Sequence, residues 1–89
     1  MITSASTGLA WHKVTVSFDG QAVTIRQAGL GIRERKIPLS KITSVKFSAP
    51  VGGRGMIEFV AAGTDGVVRF PFWRARQFVA LHDAVGAAL

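Results

Sequence analysis

From Lys13 to Phe18 the chain alternates without a break: Val14, Val16 and Phe18 fall on one side, Lys13, Thr15 and Ser17 on the other. A period of two is the mark of a strand with one dry face. Asp19-Gly20 follows at once, a pair that accepts the positive φ angles of a tight hairpin turn. The next segment, Gln21 to Gln27, alternates again, with Val23 and Ile25 inward and Thr24 and Arg26 outward. Two such segments joined by such a turn commit the start of the chain to an antiparallel sheet.

The same reading carries onward. Ala28-Gly29-Leu30-Gly31 breaks the second strand, and a third runs from Ile32 to Ile37 through Arg33, Glu34, Arg35 and Lys36. So much charge places this strand at a sheet edge or exposes it on both sides. Pro38-Leu39-Ser40-Lys41 forms a corner of about one helical turn. Ile42 to Phe47 is a fourth strand with Val45 and Phe47 inward, and Ala49 to Gly55 is a loop. Met56 to Ala61 is a fifth strand with Ile57 and Phe59 on one face. Thr64-Asp65-Gly66 is a second hairpin turn, and Val67 to Phe72 is a sixth strand with Val68, Phe70 and Phe72 inward.

From Trp73 to Leu89 the period changes. Phe78, Leu81, Val85 and Leu89 are spaced three, four and four, which is one apolar stripe of a helix. Six strands followed by one helix predict a mainly β domain whose bent antiparallel sheet or barrel, of six to seven strands, is capped by the C-terminal helix. Residues 1–10, rich in Ser, Thr, Gly and Ala, read as a flexible lead, and 11–89 as a single domain.

Composition narrows the function classes. With 89 residues and 48% apolar content the chain has room for one core and is too hydrophobic for disorder. It contains no cysteine, so neither disulfides nor thiolate chemistry enter. No apolar run reaches the roughly 18 residues of a membrane span, and the N-terminus lacks the charged and apolar regions of a signal peptide. A cytoplasmic protein is therefore expected. The net charge of +6 favours anionic partners, and it also serves plain solubility.

Several segments together resemble a bacterial PH-like domain. They are Phe18-Asp19-Gly20 with Val23-Thr24-Ile25, the run Arg35-Lys36-Ile37-Pro38-Leu39-Ser40-Lys41-Ile42 with Val45, then Gly55-Met56-Ile57-Glu58-Phe59, and finally Phe78-Val79-Ala80-Leu81. The resemblance, over about Val14 to Val85, is to a small actinobacterial family of unknown function whose members often carry a short oligomerisation (SHOCT) segment. It implies the pleckstrin-homology architecture, usually of seven strands. This chain ends at Leu89 with one copy and no such segment, which suggests a phage-encoded single-domain relative acting in host cytoplasm. The lack of Asn and Tyr beside abundant Ala, Gly, Val and Arg fits a GC-rich source.

Candidate partner-binding residues fall in three places. Arg33, Arg35 and Lys36 offer an anion site beside the edge strand, where the apolar neighbours Ile37, Leu39 and Ile42 turn the corner and plug the core. The resemblance adds that phospholipid-binding PH domains hold headgroups near their early strands. Arg54 stands in the Gly52-Gly53-Arg54-Gly55 loop; a strand follows it, so a phosphate-cradling nucleotide loop, which needs a helix there, is excluded. Trp73, Arg74 and Arg76 sit at the strand-to-helix junction, either as a contact patch or with Trp73 capping the barrel and the arginines solvated. Trp11 reads as a lid on the core edge.

Nothing in the sequence assembles a reaction. Ser40, Ser44 and Ser48 have no evident histidine partner, and His12 and His82 lie apart without clustered carboxylates. No enzyme activity, metal, cofactor or small-molecule substrate is expected. The leading expectation is a binding module for a protein partner, or for self-association, through a sheet edge or the groove between strands and helix. The alternative is anionic lipid headgroups or nucleic acid on a diffuse basic surface. Nucleic acid is disfavoured because the phenylalanines are assigned to the dry face.

Overall fold

The computed structural model describes residues 2–9, 12–29, 31–51, 53–61 and 66–89. Seven strands and one helix follow in order: β1 (Thr3–Leu9), β2 (His12–Phe18), β3 (Ala22–Ala28), β4 (Ile32–Pro38), β5 (Ile42–Val51), β6 (Arg54–Ala61), β7 (Gly66–Pro71) and α1 (Ala75–Ala88). A 3₁₀ turn at Leu39–Lys41 joins β4 to β5, and another at Phe72–Arg74 joins β7 to α1. All pairings are antiparallel, in a four-stranded sheet β1-β2-β3-β4 and a three-stranded sheet β5-β6-β7. The chain is mainly β, and its layout agrees with the PH-like architecture expected from the sequence.

Register decides what each sheet buries. In the first sheet Phe18, Val23 and Ile37 form one cross-strand row facing the second sheet, and Ala5, Val16, Ile25 and Arg35 form the next. A third row holds Thr7, Val14, Gln27 and Arg33. The inner face is thus apolar at one end and turns polar toward the far corner of β4. The second sheet contributes Ile57, Phe59, Val68 and Phe70 to the core. Helix α1 packs against β1 and β5 and buries Phe78, Leu81 and Val85. The Phe70 ring stacks nearly parallel on Phe78 at 4.3 Å and lies 5.6 Å from Phe47. Full burial of each such aromatic side chain stabilises the fold by about 1.5–3 kcal/mol.

The first hairpin turns on Gly20 and Gln21, with positive φ (95°) at Gly20 alone. Asp19 Oδ1 accepts hydrogen bonds from the Gln21 and Ala22 backbone N–H groups at 2.8 and 2.9 Å. Those two bonds hold the Asp19 carboxyl below the ordinary carboxylate range, and Lys36 lowers it further.

Four expectations are corrected. Thr3–Leu9 is not a lead but an edge strand paired along its length with β2. Its inward residues are the small Ala5 and Thr7, so it lacks the apolar alternation that marks the other strands. The loop assigned to 49–55 is largely strand: β5 continues to Val51 and β6 begins at Arg54. A register shift between Ser48 and Val51 accommodates Pro50, since an edge strand with a bulge tolerates the missing N–H. Phe72 is 61% exposed instead of inward, and Leu89, the last member of the helical stripe, is 50% exposed at the helix end. The assignments for Trp11, Leu30, Gly52 and the Thr64-Asp65 turn lie outside the described residues. Among the described residues no helix is long and apolar enough to cross a membrane.

Candidate functional site

Pro71 ends β7 in an extended conformation (φ −74°, ψ 159°), and the chain then tightens into the 3₁₀ turn Phe72–Arg74. That change of period turns Phe72 out of the row it would have shared with Val68 and Phe70. The turn buries none of its own residues: Phe72 is 61% and Trp73 69% exposed. Their rings meet edge to face, 5.3 Å apart with an interplanar angle of 83°. Trp73 therefore does not cap the barrel. The Phe72 N–H donates to the Gly53 carbonyl at 3.0 Å, which ties the turn to the tip of the β5–β6 hairpin.

This tie builds a groove of about 650 Å³ at one end of the molecule, walled by β1 at Thr7 and Gly8, the hairpin tip, the end of β7 and the 3₁₀ turn. Three arginines line it: Arg54, Arg69 and Arg74. Arg54 pairs across β6–β7 with Pro71, and Arg69 pairs with Met56, so the two arginines are diagonal neighbours on the outer face of the second sheet. Diagonal positions of that kind lie roughly 7–8 Å apart, well within reach of one ligand. Arg74, half-buried, aims Nη1 at the Ser6 carbonyl and hydroxyl oxygens, both at 3.5 Å. Those distances are at the outer limit of hydrogen bonding and leave much of the guanidinium uncommitted. Glu58, an acidic residue on the same outer face, stands across from Lys46 and does not line the groove.

The other candidates separate. Arg33 and Arg35 share the inner face of β4 with Ile37, whereas Lys36 lies on the outer face beside Thr24, so the three do not form one anion site. Alternation along a strand makes this unavoidable. Arg33 and Arg35 do meet at the polar corner of the inner face, in a cavity of about 360 Å³ shared with Gln27, Glu34 and Val67. Lys36 contributes instead to the field around Asp19. Arg76 is exposed on α1 and lies outside the groove. Of the seven candidates, the structure gathers Arg54, Trp73 and Arg74.

No family model matches the chain, and neither a curated protein nor a solved structure matches it. Sequence reasoning missed Arg69 and Phe72. A register placing Arg54 opposite Pro71 brings Arg69 beside it, but that register depends on where the β5–β6 hairpin turns. Phe72 carried a signal of its own: it directly follows a proline, where strand alternation commonly stops. The site offers cationic and aromatic contacts. Among the described residues no group of three or more His, Asp or Glu comes together that could hold a metal.

Proposed function

We propose that this chain is a non-catalytic protein-interaction module that seats a segment of its partner in the groove between the β5–β6 hairpin tip, β1 and the strand-to-helix turn. The observation that carries this reading is the exposed, perpendicular Phe72–Trp73 pair flanked by Arg54, Arg69 and Arg74. Aromatic residues and arginine dominate the energetics of protein interfaces, and they act from concave, partly desolvated sites. The PH-like layout supports grouping the chain with small PH-like domains that work by binding, an analogy of fold alone. The lipid reading draws less support, because the cations of β4 are divided between its two faces.

The test is affinity capture from a source lysate with the parent protein and with Trp73→Ala, both checked by thermal melting. Trp73 is outside the core, so its truncation shifts stability by no more than about 0.5 kcal/mol. Capture of a defined protein by the parent and its loss in Trp73→Ala supports the groove. Equal capture by both proteins refutes it.

A further inference from the structure

We infer that the segment seated in this groove is acidic and carries one aromatic or large apolar anchor. This rests on the docking reading above and adds the chemistry of the occupant. Three arginines line the groove, and among the described residues no acidic side chain lines it. Among the described residues neither Arg54 nor Arg69 is held in an ion pair. Like charges gathered without a counter-charge repel, and a ligand carboxylate relieves that repulsion while gaining charge-assisted bonds. Arginine's planar fork suits carboxylates in particular, because it donates two parallel hydrogen bonds to them.

The aromatic pair selects between the anionic classes. Single-stranded nucleic acid is held by ring faces on which successive bases stack. Here the rings are perpendicular at 83°, so the edge of one covers a face of the other and no pair of parallel platforms is presented. A perpendicular pair makes a corner, and a corner fits one inserted side chain. Gly53, whose carbonyl accepts the Phe72 N–H, has open space where a side chain would stand, which leaves backbone beside the aromatic corner accessible to an extended peptide. The groove therefore combines an apolar corner with a cationic rim and a low backbone wall.

The experiment titrates a fluorescently labelled peptide of glutamates flanking a central phenylalanine into the full chain, followed by anisotropy. A glutamine-substituted peptide and a single-stranded oligonucleotide serve as parallel probes. The acidic peptide should bind, and more weakly as salt rises. Arg69→Glu and Trp73→Ala should each weaken it roughly tenfold or more. Arg76→Glu, outside the groove, should leave binding within about twofold of the parent, as expected for a charge that makes no contact. Equal binding of the glutamine peptide, or undiminished binding by Arg69→Glu, overturns the acidic assignment. If Trp73→Ala still loses the lysate partner in that case, the docking reading stands and this inference alone fails. Trp73-dependent binding of the oligonucleotide without binding of the peptide overturns both.

Discussion

Replacing Gly55 with alanine tests how tightly the core is built around Phe70. Gly55 lies in β6, directly opposite Phe70 on β7, and its backbone is not in the left-handed region. An added Cβ would stand 2.6 Å from Phe70 Cε1, 2.8 Å from Cζ and 3.0 Å from the Ser48 carbonyl oxygen. The ring has little freedom to retreat. It is 2% exposed and stacks on Phe78 at 4.3 Å, with Phe47 also adjacent. Forcing one methyl into a packed core costs about 1–3 kcal/mol. Alanine also restricts the unfolded chain, which offsets roughly 0.4–1 kcal/mol of that. The middle of each range leaves a net destabilisation of about 1.3 kcal/mol, or a fall in Tm of roughly 5–10 °C for a domain of this size. Thermal denaturation followed by circular dichroism measures it. A Tm equal to or above the parent's would refute the argument, since only the entropic effect would remain. A double-mutant cycle with Phe70→Leu sharpens it. Removing the ring should make Gly55→Ala less damaging, with a coupling on the order of 1 kcal/mol. An equal loss in both backgrounds would place the strain at the Ser48 carbonyl instead.

Other perturbations read different parts of the fold. The Asp19 carboxyl is depressed by the Gln21 and Ala22 N–H groups, so its stabilisation is complete above the unfolded pKa and is lost as pH falls through the folded one. Asp19→Asn should therefore lose less stability than the parent between neutral and strongly acid pH; identical acid limbs in melting curves would count against this. Phe78→Ala removes a fully buried ring and should cost about 3–5 kcal/mol, measured from urea midpoints. A loss below about 1 kcal/mol would mean that α1 does not anchor the core, given the usual cost of such truncations. Arg74→Ala should cost under about 1 kcal/mol, because its bonds to Ser6 are long. A larger loss by the same assay would make Arg74 a structural strut.

The elements that could be read from the sequence are those whose inward residues are large. Val16, Phe18, Val23, Ile25, Ile57, Phe59, Val68 and Phe70 announce their strands by alternation, and all are buried. Strand β1 carries no such signal, because helix α1 covers it and leaves room only for Ala5 and Thr7. Its outer edge is closed by a side chain instead, with the Ser6 N–H donating to Gln77 Oε1 at 3.1 Å across 71 residues of sequence. Charge spacing was misleading for the opposite reason. Arg33, Arg35 and Lys36 are neighbours in sequence, yet a strand sends consecutive residues to opposite faces. Arg54 is remote in sequence from Arg69 and Arg74 and becomes their neighbour only through the β6–β7 register and the tie from Phe72 to Gly53.

Stability does not account for the residues at this end of the molecule. The 3₁₀ turn buries nothing, so Phe72 and Trp73 add little to the core while keeping two aromatic rings in water. Helix α1 starts without a side-chain cap and without an acidic residue in its first turn. Arg74 and Arg76 stand there instead, where the helix dipole disfavours each cation by about 0.3–1 kcal/mol. Three local choices that oppose stability thus coincide within a few residues, and three of the side chains involved, Phe72, Trp73 and Arg74, open onto the same groove as Arg54 and Arg69. Departures from locally favourable choices collect where a protein has a further use for the residues. A direct measurement follows from this. Arg74→Asp, which puts an anion in place of the cation at the helix start, should raise Tm while weakening binding of the acidic peptide. A variant that gains stability and binds unchanged would leave the helix start unexplained by the groove.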